Sequence, residues 1–146
     1  MNEHMHVQRL IISTVLLLVT VLAACSATSG GDADPRTIEV AMTDDLRYDP
    51  DELVVRAGET VRFLVRNEGT MVHEFLIGTP EDQARFEEEM VAGHGGGHGD
   101  EVGVTVDPGD MVEFTYTFGA EGDILVGCHQ PGHYAGGMVA NLTVEG

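Results

Sequence analysis

Lysine is absent from this 146-residue chain, and so is tryptophan. Seven arginines stand against 25 acidic residues, for a formal net charge of −18. A surface this poor in cations neutralises no phosphate backbone, which argues against nucleic acid and anionic lipid surfaces as partners and for a basic protein partner or simply a soluble acidic surface. Cysteine is scarce, with only Cys25 and Cys128, so the chain cannot be a disulfide framework of the kind that staples small secreted domains. A run long enough to cross a membrane is also missing. The one long apolar stretch, Leu10 to Ala24, has fifteen residues, against the roughly 20 that a spanning helix needs. No internal repeat is visible, and the length suits one domain with a real core.

The short apolar run suits the h-region of a secretory signal. It ends in Leu22-Ala23-Ala24-Cys25, small residues running directly into a cysteine, and so resembles a bacterial lipoprotein signal. That resemblance implies a signal peptide over 1–24, lipidation of Cys25 and an extracytoplasmic domain anchored to the membrane; an uncleaved anchor helix is the alternative. Removing residues 1–24 takes away Glu3 and Arg9 and leaves 24 acidic residues against six arginines. Residues 25–36, small, polar and broken by Gly and Pro, read as a flexible tether, with the folded domain over 37–146. With Cys25 lipidated, Cys128 has no partner, and an unpaired thiol in an oxidising compartment is a liability unless a metal occupies it. A Cys25–Cys128 disulfide is the bland alternative.

Alternation marks the strands. Ile38, Val40 and Met42 share one face; Val61, Phe63 and Val65 oppose Arg62, Leu64 and Arg66; Val112, Phe114, Tyr116 and Phe118 share another. Shorter strands are expected at Leu53–Arg56, Val72–Ile77, Val102–Val106, Asp123–Gly127 and Met138–Val144. Asp44–Asp51 reads as a turn-rich connection with Leu46 and Tyr48 as lids on the core. One helix is expected after Thr79, with Pro80 at its first position, Glu81 and Asp82 at its positive end, Phe86 and Met90 facing the core and Gly93 as its stop. The fold class is therefore all-β: a Greek-key sandwich of about eight strands with one short helix inserted.

The chemistry gathers near the C-terminus, where Cys128, His133 and Met138 recur at five-residue intervals on a loop rich in Gly and Pro. Thiolate and thioether are soft ligands and imidazole is borderline. Two His, one Cys and a weak axial Met make up the donor set of a blue-copper electron-transfer site, which suits Cu(I) and Cu(II) moderately well alike. A second imidazole must come from elsewhere, and His73, at a strand start in an apolar segment, is the candidate. His129 competes by proximity, but its side chain should point away from that of Cys128 if the strand persists one residue further.

From Ile38 to Gly146 the chain resembles the cupredoxins, the plastocyanin- and azurin-like type 1 copper proteins. The features that carry the likeness are Asn67 to His73 upstream and the C-x4-H-x4-M loop with Pro131-Gly132-His133 downstream. The resemblance implies one type 1 copper held by His73, Cys128 and His133 with Met138 axial, no enzymatic activity, a monomer, and one-electron transfer with redox protein partners. The alternative is a copper-tolerance protein that stores or delivers the ion. Azurin-like proteins often have Asn directly after the upstream His, where it braces the Cys loop; here that position is Glu74. The loop is one residue longer between His133 and Met138 than in azurin. A dinuclear copper centre would need two bridging cysteines, and a multicopper oxidase many more histidines. Finally, Met90, His94 and His98 border a Gly-rich loop that resembles the Met/His-rich insertions of copper-tolerance cupredoxins; a weak second metal site and a polar loop without a metal are the two readings.

Overall fold

The computed structural model describes residues 34–93 and 102–146. The expected signal peptide, Cys25, nearly all of the tether, and His94 and His98 lie outside the described residues. Among the described residues no helix is long and apolar enough to cross a membrane.

Alternating apolar residues build the strands as expected. In β1 (Arg36–Thr43) Val40 and Met42 are buried, and in β4 (Thr60–Asn67) Val61, Phe63 and Val65 are completely so. The two strands run parallel, Ile38 beside Phe63, and β7 (Met111–Thr117) adds an antiparallel neighbour with Phe114 opposite Phe63. With β2 (Arg47–Asp49) on the far edge the first sheet has the order β2-β1-β4-β7. The second sheet has the order β3-β9-β8-β5-β6, from β3 (Glu52–Arg56), β5 (His73–Gly78), β6 (Gly103–Val106), β8 (Gly122–Gly127) and β9 (Val139–Glu145). Apolar faces of both sheets form one core centred on Phe63, whose ring meets Phe75 at 5.1 Å and Phe118 at 6.2 Å between centroids. Among the described residues the result is an all-β sandwich with one helix, as the patterning predicts.

Two details differ from expectation. There are nine strands among the described residues rather than eight, because Asp44–Asp51 is not only turn: Arg47–Asp49 pairs with Thr43–Ala41 across β1. Three residues between Leu46 and Pro50 carry no readable alternation; only buried Tyr48 marks the strand, its hydroxyl donating to the Glu74 carbonyl at 2.6 Å. Leu46 precedes it with φ of 59° and is half-buried. Arg36, assigned to the tether, already belongs to β1, where its guanidinium pairs with Glu59 at 2.6 Å.

Helix α1 (Pro80–Val91) starts and stops for the expected reasons. Thr79 caps the Asp82 amide while the Asp82 carboxylate reaches back to the Thr79 N–H at 3.1 Å, a reciprocal box with Asp in place of the usual Glu or Gln. Gly93 ends the helix with φ of +78°. Phe86 is buried as expected, Met90 only half so, and Gln83 is buried in a place where the apolar pattern predicts nothing polar.

Candidate metal centre

Strand pairing brings the donors together. β5 and β8 are antiparallel neighbours with Leu76 opposite Gly127. Continued by two pairs, that register sets Phe75 opposite Cys128 and Glu74 opposite His129. The pleat then sorts these residues by face. Phe75, Ile77, Val126 and Cys128 turn into the sandwich core, and His73 shares their side. Glu74, Leu76, Gly127 and His129 turn the other way, toward α1. His129 points away from Cys128 as expected, although β8 itself ends at Gly127: its ring meets Gln83 and Glu87 of α1 while Cys128 packs in the core.

On the inner side, one donor atom from each of His73, Cys128 and His133 lies within 4.8 Å of the others. The Cys128 Sγ sits 3.4 Å from His133 Nδ1 and 3.9 Å from His73 Nδ1, and the imidazole centroids are 5.0 Å apart. His73, Cys128 and Met138 are fully buried; His133 is partly exposed. The loop is tied at its base. The Cys128 N–H donates to the Met138 carbonyl (3.2 Å) and the Met138 N–H to the His133 carbonyl (3.0 Å). Gly132 and Gly137, with φ of +83° and +95°, make the left-handed turns this folding-back requires. Met138 then enters β9 directly, so both flanks of the loop are sheet.

A shell of polar groups holds the donors. Asp44 accepts from the Thr70 amide and hydroxyl (2.8 and 2.7 Å) and faces His73 Nε2 at 3.4 Å, leaving Nδ1 turned to the thiol. Gly69 is required beside it, because a Cβ there would collide with the Asp44 carboxylate. Buried Asn67 donates to the Met71 and Val106 carbonyls (2.7 and 2.9 Å), fixing the approach to His73. Glu74, where azurin-like proteins have Asn, braces the Cys loop after all: its carboxylate accepts from the His129 N–H (3.0 Å) and from Gln130 Nε2 (3.1 Å), and its own N–H points at Cys128 Sγ (3.3 Å).

Burial pushes the Cys128 thiol up to about 11, against the pull of the Glu74 and Gln130 amides. Burial also lowers the His133 pKa, with His73 nearby adding to the effect. The Thr70 hydroxyl, with the Thr70 amide, holds Asp44 down at about 2.

A thiol and two imidazoles converging on one point, with a buried thioether on the same loop, is a soft-to-borderline donor set that fits copper and not a hard, oxygen-seeking cation. A family model described as a cupredoxin-like domain matches residues 14–95, more than half of the chain. This chain is a cupredoxin. The matched span contains His73 and stops short of Cys128, so the cupredoxin loop donors are supplied by the geometry above. Among similar proteins are two copper-resistant cuproproteins named CopI. That of Rubrivivax gelatinosus is 38% identical over 110 residues, covering 75% of this chain and 67% of the relative. That of Pseudomonas aeruginosa is 34% identical over 139 residues, covering 75% of this chain and 76% of the relative. Among solved structures, a dithionite-reduced auracyanin from Roseiflexus castenholzii matches with a TM-score of 0.66 at 28% identity, covering 78% of this chain and all of that one. Auracyanin A of Chloroflexus aurantiacus, a blue copper protein, matches at 0.64 and 26%, covering 76% and 99%. The cofactor of this cupredoxin is copper, and His73, Cys128, His133 and Met138 fit a type 1 site.

Of the residues predicted from sequence, the structure brings His73, Cys128 and His133 together and buries Met138 on the same loop. Met90 lies half-buried near the end of α1; its suggested companions His94 and His98 are outside the described residues. Sequence reasoning missed Asp44 and Gln83. Asp44 has no local signal, since its partners lie some 26 residues away. Gln83 had one, a polar residue three positions before Phe86 on the buried stripe.

Proposed function

We propose that His73, Cys128 and His133 hold one type 1 copper, with Met138 as the weak axial donor, and that the protein passes single electrons there outside the cytoplasm. One observation carries this reading: three donors from two separated segments stand within 4.8 Å of one another, and only His133 reaches solvent. When bound, copper supplies a one-electron Cu(I)/Cu(II) couple. The residues' part is to stay still. Sheet on both flanks of the loop, the Glu74 brace and the Asp44 contact oppose rearrangement toward either oxidation state's preference. Protein side chains fill every position of the donor set, leaving no open place for a substrate, so we read a carrier and not an enzyme. The partly exposed edge of His133 offers the electron its exit, and the acidic surface favours a basic redox partner.

Titrating the mature domain with Cu(II) tests the assignment. An intense blue or green band with narrow copper hyperfine splitting, absent in Cys128→Ser, is expected; a pale spectrum indifferent to Cys128 would overturn it. His133→Gly should leave a copper protein that exchanges electrons poorly. The name of the CopI relatives supports a second reading, a role in copper tolerance. A cell lacking the gene would then become copper-sensitive with respiratory flux intact, and the reverse pattern would reject that role. Membrane attachment through lipid on Cys25 is part of the proposal; Cys25→Ala should release the protein from the membrane fraction.

A further inference from the structure

Helix α1 covers the side of the second sheet that faces away from the copper donors, and it reaches the ligand loop through the imidazole of His129. That ring is fully buried. Gln83 donates its amide hydrogens to the Leu76 and Leu125 carbonyls (3.0 and 3.1 Å), which turns its Oε1 toward His129 Nε2 at 2.7 Å. An amide oxygen only accepts, so Nε2 is the donor. On the other edge, Nδ1 stands 3.0 Å from Glu87 Oε2. Phe86 meets the ring edge-on at 5.6 Å, and Tyr134 of the ligand loop stacks on it at 4.5 Å with 21° between planes. Glu74 holds the His129 backbone N–H. The imidazole is therefore held by Gln83 at Nε2, by Tyr134 on its face and, when both ring nitrogens carry a proton, by Glu87 at Nδ1, and its neighbour in the chain is Cys128.

An apolar side chain would fill such a space without the cost of burying polar groups. A fully satisfied buried network instead selects one geometry. Space behind the loop is tight as well: a Cβ on Gly127 would collide with Gln83 Oε1 and come within 2.9 Å of the Tyr134 ring and 3.0 Å of His129 Nε2. Helix, imidazole and loop are thus packed with little room to shift independently.

We propose that His129 is a positioning residue, a strut through which helix α1 fixes the backbone at Cys128 and so aims the thiol at the copper site. The inference rests on the copper assignment above. It makes Glu87 and Gln83, helix residues that are not donors, determinants of the metal's properties.

The test compares the unaltered domain with Glu87→Ala, Gln83→Ala and His129→Ala. It uses amide hydrogen exchange of the metal-free proteins, then the thiolate-to-copper band and reduction potential of the loaded ones. Glu87 is partly exposed, so its variant keeps the test open if a buried variant fails to fold. Loss of one hydrogen bond to a charged group should speed exchange at Cys128–Gln130 about tenfold in Glu87→Ala, with a shifted band and potential. Glu87→Ala combined with His129→Ala should be no worse than His129→Ala alone, because both cut one strut. Exchange, band and potential all unchanged in Glu87→Ala and Gln83→Ala would overturn the strut while leaving the copper assignment standing. An unaltered protein with no thiolate band would overturn the copper assignment itself.

Discussion

Alkaline titration of the metal-free protein probes a single thiol that the fold keeps neutral. Burial carries Cys128 from an ordinary 9.0 up to about 11. At ~1.36 kcal/mol per pH unit that rise is worth about 3 kcal/mol of folding free energy. The folded state binds this proton more tightly than the unfolded chain does. Its contribution is therefore fully present below about pH 9, declines as the unfolded thiol ionises, and is gone once the pH passes about 11. Urea unfolding of the parent and of Cys128→Ala, repeated from about pH 7.5 to 11, gives a difference in stability that should shrink by about 2 kcal/mol across that range. Tyr48, fully buried and itself raised well above the usual phenol value, titrates in both proteins and largely cancels. A difference that stays flat would mean the thiol is ionised or wetted already, and the closed-site geometry would be wrong. The same proton must leave when copper binds, so an unbuffered titration near pH 7 should release about one proton per metal from the thiol.

Asp44→Ala removes the partner of His73 Nε2 and the cap on Thr70, and copper affinity in a chelator competition should fall about 10- to 100-fold. Since Asp44 is held at about 2, its folded form keeps the charge that the unfolded chain loses near pH 4. The parent should lose stability between about pH 4 and 2 that Asp44→Asn does not lose, read from acid unfolding curves. Gly103→Ala drives a Cβ into the Phe75 carbonyl and to within 2.8 Å of the Leu76 Cα. Backbone yields poorly, so urea unfolding should show a loss of about 1–3 kcal/mol. Thr79→Ala removes the helix cap and should cost about 1 kcal/mol by the same assay, most of it recovered in Thr79→Asn.

Much of the metal site is legible in the sequence because its donors are local. Cys128, His133 and Met138 announce themselves by soft-ligand chemistry and spacing, and the demand for a second imidazole singles out His73. The strands whose apolar residues alternate over six or more positions are legible for the same local reason. What surrounds the donors is not. Asp44 meets His73, and Glu74 meets His129, only through pairings between distant strands, and no pattern within either segment encodes that register. β2 is too short to show a period. Glu74 illustrates the limit well: its type departs from the Asn of similar proteins, and only its position opposite His129 reveals that a longer acidic side chain makes the same kind of brace. His129 is the converse case, a residue correctly read as turned away from the thiol whose partners on α1 lie more than 40 positions upstream.

The pairing of β9 with both β3 and β8 has a consequence for when the site comes into being. Leu142 lies beside Leu53 in one neighbour and Ile124 in the other, so the strand entered from Met138 closes contacts spanning most of the domain. Loops of that length close late and slowly. Until they do, the Met138 end of the ligand loop is not pinned, and the loop donors and His73 do not yet form one enclosed set. The binding place is a product of finished folding and cannot serve as its nucleus. A complete donor set therefore requires β9 in place between β3 and β8.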